Sequence, residues 1–140
     1  MSYTGPVMAQ QEALYQAHKD LYDRYFKEAY GLYWRSEMQG WKQDKLATAW
    51  ADANSWVAKA LTSKRSPPAP KIKFFLTHIP LDSSGYTKGK YPRYYGVGPK
   101  LYMLEREDGG DVVHGLQEFR ATDREAAKAI VRKTYPGARF

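Results

Sequence analysis

A proline-rich segment separates two parts of this chain that differ in hydrophobic period. Residues 62–70 read TSKRSPPAP. The three prolines lack a backbone N–H and disfavour helical geometry in the residues that precede them. Apolar residues recur every three or four positions before this segment and alternate after it. We therefore expect a helical region over 1–61, a short extended linker over 62–70 and a basic, strand-containing region over 71–140, all in one compact unit.

The helical region predicts a hairpin of two helices. The first begins near Pro6 and continues to about Leu32, and the glycines at 31 and 40 predict a bend or break after it. The second extends from about Asp44, as the N-cap, to Leu61. Aromatic residues widen the apolar stripe of the first helix beyond the usual arc, which predicts either packing on two sides or a protein interface such as a homodimer. The candidate interface residues are Tyr15, Tyr22, Phe26 and Tyr30.

The region after the prolines predicts three strands and one helix. Residues 71–77 alternate as in a half-buried strand, and Lys100–Arg106 forms a second strand. The glycines of Asp108-Gly109-Gly110-Asp111 predict a hairpin turn, so Val112–Phe119 returns as the third strand. A capping box at Thr122–Glu125 then begins a helix that Pro136-Gly137 ends. The predicted fold class is α+β, with a helical hairpin, a three-stranded antiparallel sheet and a C-terminal helix (ααβββα).

Charge is distributed unequally between the two parts. Residues 1–61 contain 7 Lys+Arg and 7 Asp+Glu, whereas residues 62–140 contain 15 and 8, so the second part supplies the whole formal net charge of +7. Such asymmetry favours an acidic partner for the second part.

The segment Pro80–Pro99 is the strongest candidate for function. It connects the first two predicted strands through about twenty residues, which is longer than compact domains usually tolerate without a role. Cations could contact phosphates there while tyrosine rings stack on bases. The alternative is a solubilising loop whose tyrosines fold back on the sheet edge. Basic residues that precede or belong to the first two predicted strands could extend the same positive surface. The candidate contact residues are Lys64, Arg65, Lys71, Lys73, Tyr86, Lys88, Lys90, Tyr91, Arg93, Tyr94, Tyr95 and Lys100.

Several classes of function are disfavoured by what the sequence lacks. Cysteine is absent, which excludes disulfides and thiolate chemistry, and no apolar run approaches the length of a membrane span. The three histidines are scattered singly, and no serine lies in a nucleophile motif. We therefore expect a cytoplasmic, non-enzymatic protein without catalytic residues, cofactor, metal site or membrane association.

The segments Tyr95-Gly96-Val97 and Gly115–Ala127, GLQEFRATDREAA, frame two strands and a capped helix. This pattern resembles small DNA-binding domains of the AP2 and integrase-arm type. The resemblance implies three strands packed on one helix, with the exposed sheet face entering the major groove. It covers about the last third of the chain, and the chain departs from plant AP2 domains because the tryptophan-rich middle strand and the basic sheet face are missing. We assign no family on this pattern.

The sequence thus predicts a small binding protein whose basic, tyrosine-rich surface contacts an acidic partner, with nucleic acid as the first choice. Small aromatic-rich proteins without cysteine and with this terminal strand–helix unit also resemble accessory products of tailed phages. The alternative is therefore a phage-type accessory or inhibitor protein that docks on an acidic or nucleic-acid-binding host protein. A second alternative is a structural subunit that assembles through its aromatic helix.

Overall fold

A computed structural model describes residues 6–140. The chain divides into two compact units, one that ends at Pro70 and one that comprises Lys71–Phe140. The first unit is helical, and the second combines a sheet with one helix. The predicted α+β class is confirmed, whereas the number of elements in each unit differs from the prediction. In the described part of the chain, no helix is long and apolar enough to cross a membrane.

The N-terminal unit contains four helices in the described residues: α1 (Pro6–Ala17), α2 (Lys19–Tyr30), α3 (Trp34–Met38) and α4 (Gln43–Thr62). The predicted two-helix hairpin was therefore too simple. The first predicted helix is interrupted at His18, which has a φ of −132° and a ψ of 40° and so departs from helical geometry. Asp44 is not the N-cap of α4, because the helix begins one residue earlier, after an extended Lys42.

Aromatic rings form much of the core of this unit. Phe26 is fully buried, and its ring centroid lies 4.8 Å from that of Trp34 and 4.8 Å from that of Trp50. Tyr22 is also buried and donates a 2.6 Å hydrogen bond to Oδ1 of Asn54 on α4. The apolar stripe of α2 therefore packs against α3 and α4 within the chain.

The proline-rich segment lies against the helices of the N-terminal unit. Arg24 Nη2 donates to the carbonyl of Pro67 at 2.8 Å, and the indole Nε1 of Trp56 donates to the carbonyl of Pro68 at 3.1 Å. Prolines lack an N–H, but their carbonyls still accept hydrogen bonds. The segment is therefore extended as expected, yet two side chains from α2 and α4 hold it in place.

The C-terminal unit contains β1 (Ile72–Ile79), β2 (Lys100–Arg106), β3 (Glu118–Ala121), α5 (Arg124–Thr134) and β4 (Ala138–Arg139). The strand order is β3-β2-β1-β4. Adjacent strands are antiparallel except for β4, which pairs with β1 in parallel. The predicted three-stranded antiparallel sheet is therefore wrong in detail, because the residues after Pro136-Gly137 add a short fourth strand.

The third strand begins at Glu118, later than predicted, because the residues before it are held in a loop. Arg106 is buried, and its guanidinium Nη2 lies 3.0 Å from Oδ2 of Asp108. The hydroxyl of Tyr135 accepts a 3.1 Å hydrogen bond from the amide of Val113. Residues 107–117 therefore form a loop, and a tight hairpin does not form at the glycines.

Helix α5 covers one face of the sheet. Its N-cap is Asp123, one residue later than the Thr122 of the predicted capping box, because Oδ1 of Asp123 accepts a 2.8 Å hydrogen bond from the amide of Ala126. Ala127, Val131 and Tyr135 are fully buried in the same core as Phe74 and Leu104. The other face carries the alternate residues of β1, including exposed Lys73 and half-exposed Phe75.

Candidate nucleic-acid interface

The segment between β1 and β2, residues 80–99, is a small folded structure that we call the tyrosine loop. Bridges pair Leu81 with Thr87 and Tyr86 with Tyr94. The amide of Thr87 donates to the carbonyl of Arg93 at 2.9 Å, and the amide of Arg93 donates to Oγ1 of Thr87 at 2.8 Å. The loop therefore satisfies much of its own backbone and presents its side chains from a defined scaffold.

Asp82 is the acidic residue of the tyrosine loop, and its carboxylate is engaged by the loop backbone. Oδ1 accepts hydrogen bonds from the amides of Ser84 at 2.9 Å and of Tyr86 at 3.0 Å. This arrangement is a turn stabilised by an aspartate side chain. From Ser83 to Leu104 the sequence then contains four Lys or Arg residues and no Asp or Glu.

Two glycines allow the two ends of the loop to touch. Gly85 has a φ of +89°, and a Cβ atom added there would lie 2.4 Å from the carbonyl carbon of Gly96. The amide of Tyr95 donates to the carbonyl of Gly85 at 2.8 Å. Because this close approach joins two backbones, a side chain at Gly85 has no room.

Arg120 on β3 binds the C-terminal end of the tyrosine loop. Its Nη2 donates to the carbonyls of Tyr95 at 2.6 Å and Gly96 at 2.9 Å, and its Nη1 donates to the carbonyl of Pro99 at 2.7 Å. Arg120 was not among the predicted site residues. Its place in the third strand gave no indication that a guanidinium would bind carbonyls more than twenty residues earlier in the chain.

The Arg120→Gln variant is expected to fold but to loosen the tyrosine loop, because a neutral amide cannot hold three carbonyls in the geometry of a guanidinium. Hydrogen exchange at the Tyr95 amide should accelerate by roughly tenfold or more, as expected for loss of about 1.5–3 kcal/mol of charged hydrogen bonding. Amide exchange followed by NMR measures this effect. Unchanged protection at Tyr95, with the core amides as internal reference, would show that Arg120 does not hold the loop.

Three tyrosines of the loop expose their rings. Tyr86 and Tyr94 lie with their centroids 4.9 Å apart and their planes at 53°, and they remain 42% and 62% exposed. Tyr91 is 83% exposed. Tyr95 is partly buried, and its hydroxyl lies 3.4 Å from Oε1 of Glu118. The alternative interpretation, in which the loop tyrosines fold back on the sheet edge, therefore fits Tyr95 but not Tyr86, Tyr91 or Tyr94.

The three cations of the tyrosine loop, Lys88, Lys90 and Arg93, are exposed and form no ion pair with a carboxylate among the described residues. Lys90 Nζ lies 5.6 Å from the centre of the Tyr91 ring, and the guanidinium carbon of Arg93 lies 5.1 Å from the centre of the Tyr95 ring. Lys88 is exposed on the same loop, and Lys100 is exposed at the start of β2. Positive charge and aromatic surface thus occur side by side, which suits a partner with phosphates and flat rings.

The remaining basic candidates lie outside the tyrosine loop. Lys71 precedes β1, and Lys73 lies on β1 beside Arg139 of β4, at the end of the sheet farther from the loop along that strand. Lys64 and Arg65 belong to the N-terminal unit and are exposed there. The structure therefore brings together seven of the candidate residues on one loop and places the other five on different elements.

The four candidate interface residues of the N-terminal unit differ in exposure. Tyr22 and Phe26 are buried inside the unit, and Tyr15 and Tyr30 are partly buried. The Tyr15 hydroxyl donates to Oδ1 of Asp23 at 2.7 Å and accepts from Arg35, and burial raises the pKa of this phenol. Leu32 and Tyr33, which lie outside this candidate set, are more exposed.

A cleft of about 740 Å³ also lies in the N-terminal unit. Buried Trp34, Met38 and Leu46 line it, and Trp41 and Trp50 add partly buried indole surface. Polar side chains also line the cleft, including Arg35 and Glu12.

Among the described residues, no group of three or more His, Asp or Glu side chains could hold a metal ion. No protein-family model matches the chain, and comparison with curated proteins and with solved structures finds no significant match.

Proposed function

We propose that this protein is a small non-enzymatic binding protein that contacts nucleic acid through the tyrosine loop. The observation that carries the proposal is the juxtaposition of Lys88, Lys90 and Arg93 with exposed tyrosine rings on an internally hydrogen-bonded loop. Unpaired cations attract phosphates, and exposed aromatic faces stack on bases. Because the loop backbone is already bonded internally, binding a ligand there costs less conformational entropy than ordering a flexible segment would.

Neutralising the three loop cations tests the proposal. The variant with Lys88, Lys90 and Arg93 all changed to Gln should fold, because exposed substitutions usually alter stability by less than about 0.5 kcal/mol. Its affinity for a fluorescein-labelled oligonucleotide should fall roughly a hundredfold at about 0.1 M salt, if each residue neutralises one phosphate. Fluorescence anisotropy measures this loss.

A second triple variant controls for net charge. Lys19, Lys27 and Lys59 are exposed in the N-terminal unit, so their replacement by Gln removes the same charge without altering the loop. This control should lose affinity only slightly, through the weakened long-range field. Equal losses in the two variants would contradict a contact site on the tyrosine loop.

The aromatic cleft favours a second candidate function, that of a phage-type accessory or inhibitor protein that binds a host protein. Trp, Tyr and Arg are the residues that most often dominate the energy of protein interfaces, and Trp41, Trp50 and Arg35 line this cleft. The third candidate, a structural subunit or homodimer, would have to use exposed side chains such as Leu32 and Tyr33, because Tyr22 and Phe26 are covered within the unit. A folded wild-type protein that binds no oligonucleotide even at low salt would favour these candidates.

A further inference from the structure

We infer that the tyrosine loop selects single-stranded over double-stranded nucleic acid. This inference rests on the proposed function and adds the class of nucleic acid. It follows from the exposure of the loop rings, from the internal bonding of the loop backbone and from the charges on the open face of the sheet.

The exposed rings are the first observation. Tyr91 is 83% exposed, and Tyr94 is 62% exposed although it packs against Tyr86. Such rings can stack on a base only if the face of that base is open. In a duplex, neighbouring base pairs cover both faces, whereas in a single strand the bases can splay out and stack on aromatic side chains.

The loop backbone is the second observation. The amides of Thr87, Arg93 and Tyr95 all donate to acceptors within the loop. Those groups are therefore not available to read base edges in a groove. Stacking together with phosphate contact tolerates any base sequence, so we expect little sequence preference.

The charge of the open face of the sheet is the third observation. In the domains of the AP2 and integrase-arm type that this part of the sequence resembles, the corresponding face enters the major groove of duplex DNA. The register pairs Phe75 with Glu105 and Met103 with Glu118, so two exposed carboxylates lie on that face. Lys73 and Arg139 pair at the β4 end, which leaves the face mixed in charge. Carboxylates repel phosphates, so this face is poorly suited to a duplex groove.

The test compares an oligothymidylate with a duplex of equal length, both labelled with fluorescein, by anisotropy at the same salt concentration. We expect the wild-type protein to bind the single strand at least tenfold more tightly than the duplex. Tyr91→Ala and Tyr94→Ala should each weaken single-strand binding by roughly five- to a hundredfold, the range for loss of one stacked base. Tyr91→Phe keeps the ring and should retain most of the affinity.

Tyr33→Ala is the matched control, because Tyr33 is 72% exposed, between Tyr94 and Tyr91, but belongs to the N-terminal unit. It should leave single-strand binding unchanged. Equal or tighter binding of the duplex, or tyrosine variants that bind the single strand like wild type, would overturn this inference and leave the proposed function standing. Binding of neither nucleic acid at low salt would overturn the proposed function itself.

Discussion

Replacing Gly85 with alanine is expected to disrupt the tyrosine loop and to abolish most of the nucleic-acid affinity. The added Cβ would lie 2.4 Å from the carbonyl carbon and 2.5 Å from the carbonyl oxygen of Gly96, so two backbones must separate. The φ of +89° adds strain for any residue with a side chain. Together we expect a cost of about 2 kcal/mol or more, which the loop avoids by rearranging. The loss of oligonucleotide affinity should equal or exceed that of the triple cation variant, although no charge or ring is removed.

Gly89→Ala is the matched control for this substitution. Gly89 has a φ of +123°, but a Cβ atom added there would meet no other atom within 4 Å. It should therefore show the cost of backbone strain without the clash, and affinity should fall far less than in Gly85→Ala. If both alanine variants bind and melt alike, the contact between Gly85 and Gly96 does not define the shape of the loop.

Replacing Phe26 with alanine is expected to destabilise the N-terminal unit by about 3–5 kcal/mol, the usual cost of removing a buried aromatic ring. Phe26 is fully buried and stacks on Trp34 at an interplanar angle of 19°. All four tryptophans of the chain lie in this unit, so their fluorescence during urea denaturation reports its unfolding. The denaturation midpoint of the variant should shift strongly to lower urea concentration.

Leu32→Ala is the control for Phe26→Ala, because Leu32 is an exposed apolar residue of the same unit. Its midpoint should change little, since surface substitutions usually cost less than about 0.5 kcal/mol. If Phe26→Ala kept the urea midpoint of the wild type but had a lower molecular mass than the wild type in light scattering, Phe26 would not be a core residue. That result would indicate a homodimer interface, as the width of the aromatic stripe first suggested.

The elements that the sequence predicted well are those whose signals are local. The alternation of apolar and polar residues from Ile72 onward predicted β1, and the predicted bounds Lys100–Arg106 of β2 were correct. The predicted capping box before Ala126 placed the start of α5 within one residue. In each case a short stretch carries its own period or cap. The aromatic stripe of the first helical segment predicted either packing on two sides or a protein interface. Tyr22 and Phe26 are buried within the N-terminal unit, which agrees with the first alternative.

The features that the sequence did not predict depend on contacts between distant residues. The fourth strand is two residues long and exists because Ala138 pairs with Ile72. The third strand begins late, after a loop over residues 107–117 in which Asp108 contacts Arg106 and the amide of Val113 donates to Tyr135. Within the candidate site, Tyr91, Lys88 and Arg93 were recognisable from composition, but Arg120 was not, since hydrogen bonds to backbone carbonyls leave no pattern in a sequence.

The salt dependence of oligonucleotide binding tests the central claim, that cations of the tyrosine loop contact phosphates. Wild-type affinity for an oligothymidylate, measured by anisotropy over a series of salt concentrations, should give a slope of log affinity against log salt of roughly −3 to −5, as for about four to six neutralised phosphates. In the variant with Lys88, Lys90 and Arg93 changed to Gln, the slope should become shallower by about one for each lost contact. A wild-type affinity that does not vary with salt, or a variant with the same slope as wild type, would contradict the claim.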